Sequence, residues 1–316
     1  MRKYLVILAL SCLMVTTSIL IMKRLNNTRI YTHVGEDFTE LNTNVQSKIE
    51  TFVLFVGYPR SGTTIMAALL DAHPHIIISN ELNVFQRWTE WTNEMKTRSH
   101  LINELYKNSY FQTQGSGYRS PTKSHGRKFA VPHQWQGTFK HIIKVIGDKK
   151  SGKNSKIFWE TPQLVKEVLQ EVNLPMKIIH MVRNPFDNIA TMTMRSLKIN
   201  PYHVKTKVND TKALERNINL YLNSVRRNVL TIKKHGSSVI TVHSEDVIHQ
   251  PHNTLLNLCK FLQVSCSEDY LHDCASVLYK STSKTREKVI WTETQKLIVQ
   301  DAIRRVQFLS GYTIES

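Results

Sequence analysis

The chain has 316 residues, 41% of them hydrophobic, and carries 42 Lys and Arg against 25 Asp and Glu, a formal net charge of +17. An ordinary apolar share with no repetitive or Gly/Pro-rich tract excludes a disordered, fibrous or repeat protein. The charge favours anionic partners: a polyanionic small molecule, an acidic polymer or a membrane surface, with nucleic acid as a further reading.

Residues Tyr4–Met22 contain no charged side chain. At about 20 residues per crossing the run suffices to span a bilayer, and it lacks the short core and small-residue cleavage site of a secretory signal peptide. Basic residues flank both ends (Arg2 and Lys3; Lys23, Arg24 and Arg29), so charge leaves the orientation open. We expect an uncleaved signal anchor over 1–24, a polar stem over 25–48 and one catalytic domain over 49–316, roughly 270 residues and enough for a substantial core. The sequons at Asn26 and Asn209, the latter better placed, suit a secretory glycoprotein.

The first predicted strand, Phe52–Val56, runs into Gly57-Tyr58-Pro59-Arg60-Ser61-Gly62-Thr63-Thr64, and a helix begins near Gly62. The two glycines keep the spacing of a phosphate loop, but Thr63 stands where nucleotide triphosphatases have Lys. Backbone donors at a helix N-terminus still hold a phosphate. Loss of the Lys removes γ-phosphate handling, which points to a nucleotide whose 5′-phosphate is gripped and whose transferred group is something else. A second strand, Ile76–Ser79, leads to Asn80-Glu81. From Leu105 to Gly147 there is no acid, yet Lys107, Arg119, Lys123, Arg127, Lys128, Lys140 and Lys144 are present. That is either a field for anions or a solvated basic face. Trp88, Trp91, Tyr106, Tyr110, Phe111, Tyr118 and Trp135 suit stacking on sugar rings, or equally the core of a helical insertion.

The third strand, Lys144–Ile146, precedes Gly147-Asp148-Lys149-Lys150; the fourth, Lys177–Val182, ends in Arg183-Asn184-Pro185; the fifth, Val239–Val242, precedes Ser244-Glu245-Asp246. Further helices begin near Gln163, Pro185, Lys212, Pro251 and Glu293, and Leu214, Ile218, Leu222, Val225, Val229 and Ile232 form a core-facing stripe. The βα alternation predicts an α/β fold, a single P-loop-type domain with a central parallel sheet flanked by helices, following the N-terminal transmembrane helix. Arg183 then lies at a strand's C-terminal end, where such sheets bind ligands. Outside the membrane run, Cys266 and Cys274 flank an acidic turn and suit a disulfide; three reduced thiols, with Cys259, are the other reading. The His, Cys and carboxylate spacings match no metal motif and no nucleophile elbow occurs, so no metal is expected.

Pro59-Arg60-Ser61-Gly62-Thr63-Thr64 resembles the 5′-phosphosulfate loop of sulfotransferases that use 3′-phosphoadenosine 5′-phosphosulfate (PAPS), and Asp71-Ala72-His73-Pro74-His75 with Asn80-Glu81 is similar to tyrosylprotein and Golgi carbohydrate sulfotransferases. The strand ending in Arg183, with a hydroxyl at Thr191 where the family usually has Ser, resembles the 3′-phosphate element; Gly147-Asp148-Lys149-Lys150 resembles the lysine segment at the leaving oxygen, and Ser244-Glu245-Asp246 stands where many members have Tyr-Glu-Asp. The resemblance covers roughly residues 52 to 310, with the motifs in the family's order. It implies PAPS as cosubstrate, Glu81 as the base, a role that requires surroundings that raise its basicity, Arg60 on the sulfuryl oxygens, and Lys149 or its neighbour Lys150 on the leaving side. It further implies Ser61, Gly62, Thr63 and Thr64 on the 5′-phosphate, Arg183 and Thr191 on the 3′-phosphate, and Arg286 and Lys288 in a closing basic loop whose spacing departs from the family's Gly-rich form. Other roles stand beside these: Glu81 pairing with Arg87 or Arg60, and Arg183 pairing with Asp187. The expected acceptor is a hydroxyl of a carbohydrate, acidic or neutral, with a protein tyrosine as the alternative and a catalytically inactive anion- or nucleotide-binding membrane protein as the reading from a different class; the implied location is the Golgi membrane, single-pass type II, with the domain in the lumen and no nucleic-acid partner.

Overall fold

A computed structural model of the chain describes residues 38–123 and 128–316. The expected anchor over 1–24, the Asn26 sequon, most of the stem and Arg127 lie outside the described residues. Among the described residues, no helix is long and apolar enough to cross a membrane.

Five parallel strands form one sheet in the order β2-β3-β1-β4-β5: β1 (Thr51–Gly57), β2 (Ile76–Asn80), β3 (Val145–Lys149), β4 (Met176–Val182) and β5 (Val239–His243). All five follow the predicted positions with ends shifted by at most three residues. Every residue of β1 is buried, because a central parallel strand is covered on both faces and reads as a continuous apolar run. Its side chains alternate between the two faces. Val53 and Phe55 face α2 (Thr63–Asp71), α10 (Pro251–Leu262) and α11 (Glu268–Ser276); Phe52 and Leu54 face α3 (Val84–Glu90), α4 (Arg98–Gln112) and α6 (Pro162–Val172). Each such buried side chain contributes about 1.5–3 kcal/mol. A third cluster, including Tyr58, Phe186, Leu214 and Ile303, joins α7 (Pro185–Ser196), α8 (Thr211–His235) and α12 (Glu293–Arg305) near the end of β4.

The six predicted helix starts appear within one residue of their expected places. The stripe on α8 holds at Leu214, Ile218 and Val225, whereas Val229 is exposed and Asn228 and Thr231 take the buried positions beyond it. Helices α1 (Thr43–Ser47), α5 (Ser151–Glu160), α9 (Ser244–His249) and α11 have no predicted counterpart, whereas α3 and α4 fall at the segment for which a helical insertion was one reading, without predicted starts. In α4 the buried face includes Asn103, Asn108 and Ser109, so apolar periodicity is faint. The two asparagines accept from the backbone, Leu41 donating to Asn103 Oδ1 and Asn80 to Asn108 Oδ1, and Ser109 bonds the Asp71 carboxylate. Leu41 and Ile49 are buried, and the compact unit starts at Leu41, so the last turn of the expected stem belongs to the domain.

Two further expectations are corrected. The disulfide joins Cys259 to Cys266, not Cys266 to Cys274. Helix α11 carries Cys274 into the core beside the Leu69 carbonyl, and burial pushes its thiol up to about 12. Nor is the segment 105–147 a uniform basic field, because Arg119 is buried against Asp71 at 2.6 Å. Asp71 also accepts from the amides of Ile78 and Gly137 and from Ser109 Oγ, so this carboxylate ties α2, β2, α4 and the following loop together.

Candidate active site

Each of the five strands delivers a piece of the site at its C-terminal end, the ligand-binding edge of a doubly wound sheet. The loop after β1 turns sharply: Gly57 has φ 137°, and a Cβ there would lie 2.6 Å from the Met181 carbonyl oxygen, which requires glycine. Gly62, at φ 89°, starts α2 with no side-chain cap on the helix N-terminus. First-turn amides therefore face outward with the positive end of the helix dipole, an arrangement that accepts a phosphate group. The loop is braced from both sides, by Ser155 Oγ accepting from the Gly57 amide at 3.0 Å and by Asn188 Nδ2 donating to the Pro59 carbonyl at 2.8 Å. Neither brace was marked in the sequence, where an isolated Ser or Asn carries no motif signal.

Within this loop the expected donors divide. Ser61 is fully buried and its hydroxyl donates to the Tyr58 carbonyl at 2.8 Å, so only its place in the turn, not its hydroxyl, faces the anion site. Thr63 Oγ1 accepts from Ser151, and Thr64 Oγ1 accepts from Lys149 Nζ at 3.1 Å. Arg60 adopts φ 72° and leaves its guanidinium exposed.

Glu81 and both candidate lysines come together. Lys149, almost fully buried, donates to Glu81 Oε1 at 2.9 Å, and Lys150 donates to Oε2 at 2.8 Å. Arg87 meets Glu90 instead, and the partners of Glu81 are these lysines, not Arg60 or Arg87. The expectation of a basic Glu81 is thereby corrected. Burial alone raises its pKa, but the Lys149 charge and the bonds from both lysines prevail and hold the carboxyl at about 2. Burial also lowers the Lys149 ammonium, against the opposing pull of Glu81. Glu81 and Asn83 both lie at positive φ, a conformation costing roughly 1–3 kcal/mol per residue away from glycine.

At the end of β4, Arg183 Nη1 donates to Thr191 Oγ1 at 3.2 Å and to the Arg60 carbonyl at 3.3 Å, while Nη2 reaches the Ser283 carbonyl at 2.8 Å and Thr285 Oγ1 at 3.3 Å. Thr191 and Thr285 hydroxyls lie 2.9 Å apart, so Thr285 joins the pair expected from the sequence. Asp187 does not take Arg183 as its salt-bridge partner; it binds the buried Arg286 through the guanidinium and the backbone amide. Arg286 also reaches the Ser316 carbonyl, and Lys288 directs its ammonium to the Pro201 carbonyl at 2.8 Å. Both are therefore engaged by the protein itself, unlike the open cations expected of a cosubstrate clamp. After β5, Glu245 accepts from the Asn184 amide and Tyr312 hydroxyl, fixing the start of α7.

Residues 53–268 match the sequence model of the sulfotransferase family. The chain belongs to the sulfotransferase family. Over 64 residues it is 39% identical to protein-tyrosine sulfotransferase 1 of Homo sapiens, a stretch covering 20% of this chain and only 17% of that protein. Among solved structures it is similar to the sulfotransferase domain of the Synechococcus olefin synthase, with 16% identity, 84% of this chain and 94% of that one covered, and a TM-score of 0.48. A mouse sulfotransferase complexed with PAP gives 14% identity, 83% and 87% coverage, and a TM-score of 0.42. In this member of the family, Thr64, Glu81, Lys149 and Lys150 meet in one cluster at the C-terminal edge of the sheet. A cleft of about 620 Å³ lined by His75, His133, Lys140 and Asp273 lies elsewhere, on loops that include the starts of β2 and β3.

Proposed function

We propose that this chain transfers a sulfuryl group from PAPS to a phenolic hydroxyl of protein tyrosine, with Glu81 as the general base. The observation that carries the reading is the Glu81–Lys149–Thr64 chain of contacts beside the uncapped N-terminus of α2. When bound, PAPS supplies the sulfuryl group and a phosphate leaving group. The residues fit it in two places: the first turn of α2 for the 5′-phosphate, and Arg183 with Thr191 and Thr285 for the 3′-phosphate. Arg60, exposed and permanently charged, suits the sulfuryl oxygens.

Lys149 already spans the anion loop and the base. Drawn toward an anion at Thr64, its charge weakens on Glu81 and the carboxylate becomes more basic, as a proton acceptor from the tyrosine hydroxyl must be. A carbohydrate acceptor, the other reading, keeps Tyr118 as an exposed aromatic but finds three of the seven aromatics engaged by the protein. Trp88 is buried and bonds Glu167, Trp91 packs on His100, and Tyr106 packs on Phe139. A groove of about 230 Å³ lined by Asn83, Gln86, Lys153, Lys156 and Glu160 borders the Glu81 loop; Glu160 pairs with Lys156, which leaves Lys153 to meet an acidic residue flanking a tyrosine. The partial identity with a protein-tyrosine sulfotransferase supports the same acceptor. We further propose that residues 4–22 anchor the chain in the Golgi membrane with the domain in the lumen; the Cys259–Cys266 disulfide and the exposed Asn209 support an oxidising, glycosylating compartment.

The test is transfer of labelled sulfate from PAPS to a panel of acidic tyrosine peptides and glycans. Tyrosine peptides are expected to accept label, and Arg183→Ala to weaken PAPS binding by about 1.5–3 kcal/mol through loss of charged hydrogen bonds. Label on glycans alone reverses the acceptor assignment. Stabilisation by ATP but not by PAPS discards the function.

A further inference from the structure

Glu81 is the first residue of a loop that no glycine relaxes, although Glu81 and Asn83 both have positive φ. Something outside the loop holds it. Asp148, one residue before Lys149 on β3, is fully buried and receives four donors: Ser79 Oγ at 2.7 Å and the Leu82 amide at 3.2 Å on Oδ1, and the amides of Asn83 at 2.9 Å and Val84 at 3.2 Å on Oδ2. Three consecutive backbone amides thus converge on one carboxylate. They include the start of α3, where no side chain of the helix's own N-cap residue serves. The Glu81 amide itself donates to the Lys149 carbonyl at 3.1 Å.

Strand alternation explains the division of labour. Ile146 belongs to the core on the α3 and α4 face, and Val145 to the core on the α2 face, so Asp148 follows Ile146 and Lys149 follows Val145. Asp148 accordingly grips the backbone of the loop from one side of the sheet while Lys149 holds the Glu81 carboxylate from the other. The adjacent pair acts as a vice, with one jaw on the main chain and one on the side chain.

We propose that Asp148 is a positioning residue for sulfuryl transfer, fixing the 81–84 loop so that Glu81 faces the anion loop; this rests on the reading of Glu81 as the base. An amide at 148 offers one acceptor oxygen where the carboxylate has two, and places an N–H₂ against backbone donors. The Asp148→Asn variant is therefore expected to speed hydrogen exchange at the amides of residues 82–84, leave exchange in the 60–66 loop and the Kd for PAP unchanged, and lower turnover per folded molecule roughly 10- to 100-fold, as a small misplacement does. Glu81→Gln, measured in parallel, should lose turnover with 82–84 exchange unchanged, which separates the two ideas. Wild-type turnover in Glu81→Gln removes the base and not the loop clamp. Wild-type turnover in folded Asp148→Asn beside an impaired Glu81→Gln, or unchanged 82–84 protection, overturns the proposal. If Asp148→Asn does not fold, Ser79→Ala, which removes one of the four donors, decides: a smaller change in the same direction in both readouts is expected, and none in either rejects it.

Discussion

Asp71 and Arg119 meet at 2.6 Å with both side chains out of solvent, whereas Glu81 and Lys149 meet at 2.9 Å with the Glu81 side chain 52% exposed. The Asp71 carboxylate is saturated by four buried donors from β2, α4 and the loop after α4. Glu81 is held by two ammonium groups, one of them shared with a hydroxyl on the anion loop. Saturation makes a joint of the architecture, and sharing leaves charge that an incoming anion can redistribute. Asp71 ends a helix on the sheet and Lys149 ends one of its strands, and the two pairs differ sharply in access to solvent.

The comparison breaks most visibly at Arg119. Replacing it by Met leaves Asp71 buried without its counter-charge, a loss expected to destabilise the domain by about 3–5 kcal/mol. Denaturant unfolding measures it, and a loss below about 1 kcal/mol contradicts the joint described for Asp71. At the open pair the damage moves from stability to rate. Lys149→Met is expected to lower sulfate transfer by about 10²–10³-fold, the cost of removing one preorganised donor from developing charge, with Lys150→Met milder. A larger loss at Lys150 would transfer the role to that neighbour. The smallest effect is in acid. Glu81 sits at about 2 in the fold against an ordinary value near 4.5. Its ionised form thus contributes stability above the ordinary value, and the contribution fades as pH falls from about 4.5 toward 2. Half exposure limits it to under about 1 kcal/mol, read as the difference between wild type and Glu81→Gln across that pH range.

Much of the site was legible because it lies in local motifs at strand ends. Gly57 to Thr64, Glu81, Lys149 and Arg183 all sit where short apolar runs stop, and alternation alone placed those runs on one parallel sheet. What stayed hidden depended on contacts distant in sequence. Ser155 is 98 residues from the Gly57 it braces, and Thr285 is 94 from Thr191. Arg119 looked like part of a surface field, since nothing local marks a cation that finds a buried carboxylate 48 positions earlier. The basicity of Glu81 was misjudged for a related reason: motif order brought Lys149 and Lys150 to the site without saying that both would fall on this one carboxylate. Among the helices without a predicted start, α4 and α5 bury Asn and Ser where a periodic apolar stripe would announce them.

Arg183 donates to the carbonyl of Arg60, and the strands beneath are in register with Gly57 opposite Met181. The two anion cradles proposed for the nucleotide are therefore bolted to neighbouring rungs of one ladder, and their spacing is a fixed gauge. If one nucleotide fills both cradles, as proposed, its two phosphates must match that spacing, a requirement of length added to that of charge.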